Sequence, residues 1–166
     1  MNRIEELKKL KEQARKLKKE IETIEKELDM KNDPIFLLSS KEYNRYKDKI
    51  PHINCWWWLC SSGSTAGSAA VINYEGVVIN GGFGVFNDYG AIRPALRISN
   101  LKPFEAIKVD ENHIFCCGIT WIKIDEDLYI AEVPISFRRF DKENEDYTTS
   151  EIRQLLLNWY EARKKW

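Results

Sequence analysis

An uninterrupted heptad pattern near the N-terminus is the feature that most constrains this fold. Residues 3–30 contain neither glycine nor proline. Apolar side chains recur there alternately three and four residues apart, which is the spacing of the a and d positions of a coiled coil. These seam residues are Leu7, Leu10, Ala14, Leu17, Ile21, Ile24 and Leu28. We therefore predict a coiled-coil helix over residues 1–31 that makes the protein a homo-oligomer.

Charge is distributed unevenly along this segment. Residues 1–19 carry eight basic and three acidic side chains, whereas residues 20–29 carry one basic and five acidic ones. This order opposes the helix macrodipole, so pairing must stabilise the helix. An antiparallel partner would set each basic half against an acidic half, and the seam residues leave the number of helices open. A helix folded back on its own domain is the alternative; a nucleic-acid arm is disfavoured, because no aromatic residue is interleaved.

The chain length leaves room for one further domain, and the balanced charges give it no dominant electrostatic field. Among 166 residues, 26 lysines and arginines balance 26 aspartates and glutamates, so bulk charge favours neither nucleic acid nor an acidic membrane. We identify no secretion signal and no apolar run that could span a membrane, which predicts a cytoplasmic protein. The domain is placed at residues 32–166, because Pro34 pushes the residue before it out of the α region.

Short strands and two packed helices are predicted for the domain, which makes it α+β. A cap at Ser39 opens a brief helix, and a Thr-x-x-Glu capping box at Thr148 opens a C-terminal one. The aromatic run 55–60 fits a buried strand, and turns follow at 73–76 and 87–90. Further strands are predicted at 106–109, 113–117, 119–124 and 128–133.

Large aromatic side chains and one arginine are assigned to the scaffold. We expect four tryptophans to fill the interface between sheet and helix, namely Trp57, Trp58, Trp121 and Trp159. Arg93 precedes Pro94 among apolar residues, so we expect carbonyls or a carboxylate to anchor it. Neither group is expected to contact a ligand.

Neither the cysteines nor the histidines form a recognisable chemical motif. The cysteines are Cys55, Cys60, Cys116 and Cys117. They lack paired C-x-x-C spacing, and the neighbours Cys116 and Cys117 are expected to point to opposite faces of a strand. Buried structural thiols are favoured over a zinc site. His52 and His113 stand in no catalytic motif. We therefore predict no catalytic residue, no metal site and no cofactor.

Two segments resemble the signatures of a widespread bacterial and phage domain of unknown function. Trp57–Gly63 resembles Trp-Trp-Leu-Arg-Ser-Pro-Gly, and Gly90–Leu96 resembles Gly-Val-Arg-Pro-Ala. Cys60 and Ser62 stand where that family has arginine and proline, and the match covers roughly residues 34–160. The family is related to the C-type-lectin fold. The resemblance implies a C-type-lectin-like domain with short antiparallel strands and packed helices.

The resemblance also implies a function. Similar domains are the variable proteins of diversity-generating retroelements, where residues between the two signatures are diversified to bind a target. It implies a bacterial or phage-encoded, non-enzymatic module that binds a protein or a glycan, in the cytoplasm or in a phage particle. The alternatives are an intracellular phage inhibitor of a host defence protein and a formylglycine-generating oxidase. The oxidase is disfavoured, because its metal-binding cysteine pair has no matching motif here.

The turns between residues 62 and 90 have the composition of a binding surface. Serine, threonine, asparagine and tyrosine dominate, which is a mixture typical of antibody paratopes. The long charged side chains are missing from these turns except for Glu75 and Asp88. Tyr74 and Tyr89 occupy corresponding places in successive turns, which would place two aromatic anchors on one edge. The predicted ligand contacts are Ser64, Thr65, Ser68, Asn73, Tyr74, Asn80, Phe83, Phe86, Asn87, Asp88 and Tyr89.

Overall fold

The computed structural model describes residues 2–102 and 105–165. Two compact units make up the chain, and the boundary between them falls between Asp33 and Pro34. It lies two residues beyond the boundary placed from the sequence. The first unit is a single helix, and the second is a mixed α+β domain built on antiparallel strands.

Helix α1 (Arg3–Met30) is capped at its start and exposed along its length. The Asn2 side chain accepts a hydrogen bond from the Ile4 amide, and Glu5 and Glu6 lie in the first turn. These groups interact favourably with the positive, N-terminal end of the macrodipole. Only the acidic C-terminal turn is unfavourable, whereas the sequence predicted unfavourable charges at both ends of the helix. The leucine and isoleucine seam residues are 52–58% exposed. Within the described residues, no helix is long and apolar enough to cross a membrane.

Among its described residues, the domain has eleven short strands and two α-helices. Helix α2 (Ser40–Tyr46) follows the first strand, and helix α3 (Glu151–Arg163) closes the described chain. The strands are β1 (Ile35–Phe36), β2 (Trp57–Ser62), β3 (Ser68–Ile72), β4 (Val78–Gly84), β5 (Ala91–Ile92), β6 (Ala95–Arg97), β7 (Ala106–Lys108), β8 (His113–Cys116), β9 (Ile119–Lys123), β10 (Leu128–Ala131) and β11 (Ser136–Phe137).

The strands form two sheets. The six-stranded sheet has the order β1-β6-β10-β9-β8-β7 and is antiparallel throughout. The five-stranded sheet has the order β11-β5-β2-β3-β4, and its one parallel pair joins β2 to β5 at Trp57 and Ala91. The strands predicted from the second half of the chain are found as β7 to β10, each a little shorter than predicted.

One buried cluster joins both sheets to α2. The five-stranded sheet contributes Trp57, Leu59 and Ile72, and the six-stranded sheet contributes Leu128 and Ile130. Trp57, Trp58 and Trp121 are at most 1% exposed, as the assignment to the core predicts. Trp159 is different, because it is only half-buried and contacts Trp121 edge-on at 6.5 Å between ring centroids.

Arg93 is fully buried and held by carbonyl oxygens. Its Nε donates to the Ala131 carbonyl at 2.9 Å, and its Nη1 donates to the Pro51 carbonyl at 2.7 Å. The guanidinium lies 5.4 Å from the centroid of the Trp57 ring. Burial lowers the pKa of Arg93 to about 10. The expected anchoring by carbonyls is confirmed, and the residue links three segments of the scaffold.

The cap of α3 differs from the prediction. Thr148 lies in a short 3₁₀ segment, Tyr147–Thr149, and the N-cap is Ser150, whose hydroxyl accepts from the Arg153 amide. The cap of α2 is as predicted, with a capping box between Ser39 and Glu42. Thr148, Thr149 and Ser150 each carry a hydroxyl that can cap a helix, so the sequence does not distinguish them. The prediction therefore placed the start of α3 two residues too early.

Cys116 and Cys117 do not point to opposite faces, contrary to the prediction. Cys116 ends β8, and Cys117 and Gly118 form the two-residue turn to β9 with φ angles of +56° and +80°. Positive φ at both positions is the pattern of a type I′ hairpin turn. The strand alternation therefore stops at Cys116, and the two sulfurs lie 3.5 Å apart.

Candidate ligand-binding surface

The loop between β2 and β3 is fixed by hydrogen bonds of its own. The Ser68 hydroxyl donates to the Thr65 carbonyl at 2.7 Å and accepts from the Thr65 amide at 3.3 Å. Ser68 is only 6% exposed, so it positions the loop and does not face solvent. Ser64 and Thr65 are exposed, as a contact surface requires.

The turn between β3 and β4 presents one aromatic side chain. The Asn73 Oδ1 accepts from the amides of Glu75 and Val77, both at 2.9 Å, so this side chain is used by the turn. The Tyr43 hydroxyl donates to the Gly76 carbonyl at 2.7 Å and ties the turn to α2. Tyr74 is left 66% exposed on a backbone that is held in place.

Strand β4 is an edge strand with a bulge in its middle. Gly82 has a φ of +76°, and a Cβ at this position would lie 2.3 Å from the Ala69 carbonyl oxygen. Only glycine fits such a close approach of two backbones. Asn80 is exposed, whereas Phe83 is half-buried and packs edge-on against Trp56 at 4.7 Å.

The turn after β4 presents two further aromatic side chains. Phe86 is 68% exposed and Tyr89 is 80% exposed. The Asn87 Oδ1 accepts from the Tyr89 amide at 2.9 Å, so Asn87 also works as a turn residue. Asp88 is exposed, and its charge contributes to raising the pKa of Arg139, after the larger effect of the Glu151 carboxylate.

The structure brings only part of the predicted surface together. Hydrogen bonds from Ser64 to the Gly81 carbonyl and from Val85 to the Gly67 carbonyl join the loop after β2 to the end of β4. Asn73 and Tyr74 lie at the other end of the β3–β4 pair, beyond the partners Ile72 and Val78. Four residue steps along β3 separate these ends, which is about 14 Å.

An acidic loop, which the sequence did not assign to the surface, borders it. The Gly67 amide donates to the Glu145 carboxylate at 2.9 Å, and this bond is the largest of the effects that lower the pKa of Glu145. The Asp141 carboxylate accepts from the amides of Asn144 and Glu151, which lowers its pKa against the opposing effect of burial. The only signal in the sequence was the local excess of acidic residues.

One of the two histidines packs against a turn of this surface. The His52 ring lies against the β3–β4 turn, where it would meet a Cβ at Gly76. His113 Nδ1 lies 2.8 Å from the Asp110 carboxylate, and this hydrogen bond lowers the pKa of Asp110. In the part of the chain that the structure describes, no group of three or more His, Cys, Asp or Glu residues could hold a metal ion.

A groove beside α3 was also missed. It has a volume of about 650 Å³ and runs between α3 and β11, with Arg138, Trp159 and Arg163 among its lining residues. The Arg163 guanidinium lies 5.1 Å from the Trp159 ring centroid. The assignment of Trp159 to the core hid this feature, because a helix face that is only partly covered has the same apolar spacing as a buried one.

Comparison with known proteins yields no relative. No family model, no curated protein and no solved structure matches this chain. What the surface can bind therefore has to follow from its own residues.

Proposed function

We propose that this protein is a non-enzymatic binding module of phage or prophage type, with a C-type-lectin-like domain that recognises a protein or a glycan. The observation that carries the proposal is the exposure of Tyr74, Phe86 and Tyr89, each at 66% or more, on turns whose backbones are held by side-chain hydrogen bonds. Rigid, amphipathic rings among small polar side chains give contact area at a low cost in conformational entropy. Exposed aromatic side chains of this kind are typical of binding surfaces.

Charge around these rings favours a partner with a basic face. Glu75 and Asp88 are exposed beside Tyr74 and Tyr89 in the two turns, and Asp88 also interacts with the Arg139 guanidinium. The acidic loop at Glu143 and Glu145 borders the third segment of the surface at Gly67. Complementary charge raises association rates and excludes wrong partners more than it adds affinity. A basic protein surface is therefore the favoured ligand, and a glycan would have to rely on ring stacking and hydrogen bonds.

The coiled coil would present several copies of this surface. Helix α1 has no buried residue of its own, and its seam of leucine and isoleucine is exposed. Pairing of identical seams would bury this apolar surface and link the domains. Joined sites gain avidity of about 10²–10⁴-fold when the target also offers several copies.

Affinity capture with the full chain tests the proposal. The immobilised protein is exposed to soluble and envelope fractions of bacterial lysate and, separately, to a glycan array. We expect a ligand that binds the wild type and not the Tyr74→Ala, Tyr89→Ala variant. Ile107→Ala is the matched control, because Ile107 is 62% exposed elsewhere on the domain. A ligand that the aromatic variant retains in full would contradict the proposal.

The fraction that contains the ligand separates the main proposal from its alternative. An envelope protein or a glycan supports recognition of a cell surface. A soluble cytosolic protein supports an inhibitor of a host defence factor, because that target is inside the cell.

A further inference from the structure

Two thiols lie side by side in the turn between β8 and β9. The sulfurs of Cys116 and Cys117 are 3.5 Å apart, and both residues are at most 1% exposed. Their proximity depends on the left-handed backbone of Cys117, which is rare for residues other than glycine and asparagine. Two thiols held this close can bind one soft atom through both sulfurs.

The surroundings make the two thiols unequal. The two sulfurs share a hydrogen bond in which either thiol can be the donor. With Cys116 as the donor, this bond and the Arg163 guanidinium lower the pKa of the Cys117 thiol against burial and the nearby Glu105. The same bond and burial raise the pKa of Cys116. Cys117 also lines a surface groove and Cys116 does not, so Cys117 meets a ligand first and Cys116 supplies the second sulfur.

A groove leads from solvent to this turn. It has a volume of about 430 Å³, and Cys117 is one of its lining residues. Its other lining residues include Pro134 and Ile135, and Trp159 and Arg163 from α3. The groove can hold the organic substituent of a ligand whose reactive atom lies at the sulfurs.

A buried carboxylate restricts the charge of that ligand. Glu105 is 6% exposed and accepts a hydrogen bond from the Tyr160 hydroxyl at 2.5 Å. Its charge contributes to raising the pKa of Cys116 and opposes the lowering of the pKa of Cys117. A monovalent soft cation between two thiolates would add a negative charge beside it, which is costly in a buried site. An atom that replaces both thiol protons through two covalent bonds leaves the charge unchanged.

We propose that Cys116 and Cys117 form a bidentate site for trivalent arsenic that carries one further substituent. With an arsine oxide, the Cys117 sulfur attacks arsenic first and the Cys116 sulfur second. Two S–As bonds form, the arsenic–oxygen bond breaks, and the oxygen leaves as water with the two thiol protons. Arsenic remains trivalent, so the step needs no oxidant or reductant.

Phenylarsine oxide tests this site on the full, folded chain. Intact-mass spectrometry should show one phenylarsenic group per chain, retained in excess glutathione and released by a dithiol. Loss of either sulfur should weaken retention roughly 100-fold or more, because the second bond is intramolecular. The variants are Cys117→Asn, which suits the left-handed turn, and Cys116→Ser. The Cys55→Ser, Cys60→Ser variant is the matched control and should bind like the wild type.

A second readout locates the bound group. A phenyl ring in the groove should change the emission of Trp159, and the Trp159→Phe variant should lose that change while it still binds arsenic. The proposal is overturned if either single-thiol variant of the pair resists glutathione as the wild type does, or if the adduct forms only after the chain is unfolded. Circular dichroism confirms that each variant is folded before it is compared.

Discussion

At the scale of the residue, Arg93 and Trp121 are buried with donors that bond to backbone carbonyls, although the Arg93 Nη2 has no hydrogen-bond partner among the described residues. Arg93 donates to two carbonyls and lies over Trp57. Trp121 is fully buried, and its Nε1 donates to the Cys116 carbonyl at 2.9 Å. Hydrogen bonds of this kind fix each side chain in a single orientation, because an unpaired buried donor is costly.

Replacement of Trp121 by alanine should destabilise the domain strongly. The change removes a fully buried ring and leaves the Cys116 carbonyl without this donor. We expect a loss of about 3–5 kcal/mol in the free energy of unfolding, measured by urea titration. Trp159→Ala, on the half-buried ring that Trp121 contacts, is the comparison and should cost clearly less. An unchanged unfolding midpoint for Trp121→Ala would show that the ring is not part of the core.

The thiol of Cys60 should react slowly near neutral pH. Burial, followed by the Glu42 carboxylate, raises its pKa to about 12, from an ordinary value near 9. Only the thiolate reacts with iodoacetamide, so alkylation of the folded chain should increase up to about pH 12. The unfolded chain loses this proton near pH 9, so the raised pKa also makes stability fall between about pH 9 and 12.

Peptide mass spectrometry measures the alkylation at Cys60, with the chain in urea as the control. Equal rates for folded and unfolded protein at pH 8 would contradict the raised pKa.

At the scale of the element, local patterns predicted most helices and strands but not how the turns bring residues together. The α2 cap at Ser39 and the strand runs of the second half follow from residue type and spacing. The bulge at Gly82 and the left-handed turn at Cys117 do not, because they depend on backbone geometry that alternation cannot express. The same limit applies to Ser68 and Asn73, which were predicted to contact the ligand. Their side chains instead form hydrogen bonds with the backbone of their own loops.

A pair of glycine substitutions tests the account of the bulge. Gly82 and Gly118 have φ angles of +76° and +80°, so Ala strains the backbone about equally, by roughly 1–2 kcal/mol. A Cβ at Gly82 also meets the Ala69 carbonyl, whereas a Cβ at Gly118 meets nothing within 4 Å. We expect Gly82→Ala to reduce the free energy of unfolding clearly more than Gly118→Ala. Equal losses in urea titration would show that β3 and β4 separate at little cost.

At the scale of the whole molecule, the apolar seam of α1 is exposed to solvent. Seven apolar positions remain in solvent on a single helix. Burial of such surface stabilises by about 25 cal/mol per Å², so association of identical helices is the expected result. The first turn of α1 carries Glu5 and Glu6 and so is already favourable for the isolated helix, while the acidic last turn still gains from a basic partner segment.

Light scattering on the full chain and on a chain that begins at Asn32 tests the role of α1. We expect an oligomer for the first and a monomer for the second, since the domain from Pro34 onward is a compact unit. Two monomers would refute the coiled coil. Two identical oligomers would place the interface in the domain instead.

The affinity of the Tyr74→Ala, Tyr89→Ala variant for the captured ligand is the most direct test of the binding surface. Both rings are largely exposed, so their loss should leave the melting temperature within a few degrees of the wild type. An anchoring aromatic residue contributes about 2 kcal/mol or more at the best positions, so calorimetric titration should show binding reduced roughly 30-fold if one ring is such an anchor and roughly 1,000-fold if both are. Affinity equal to that of the wild type and of Ile107→Ala would contradict the account, because the ligand would then be bound elsewhere.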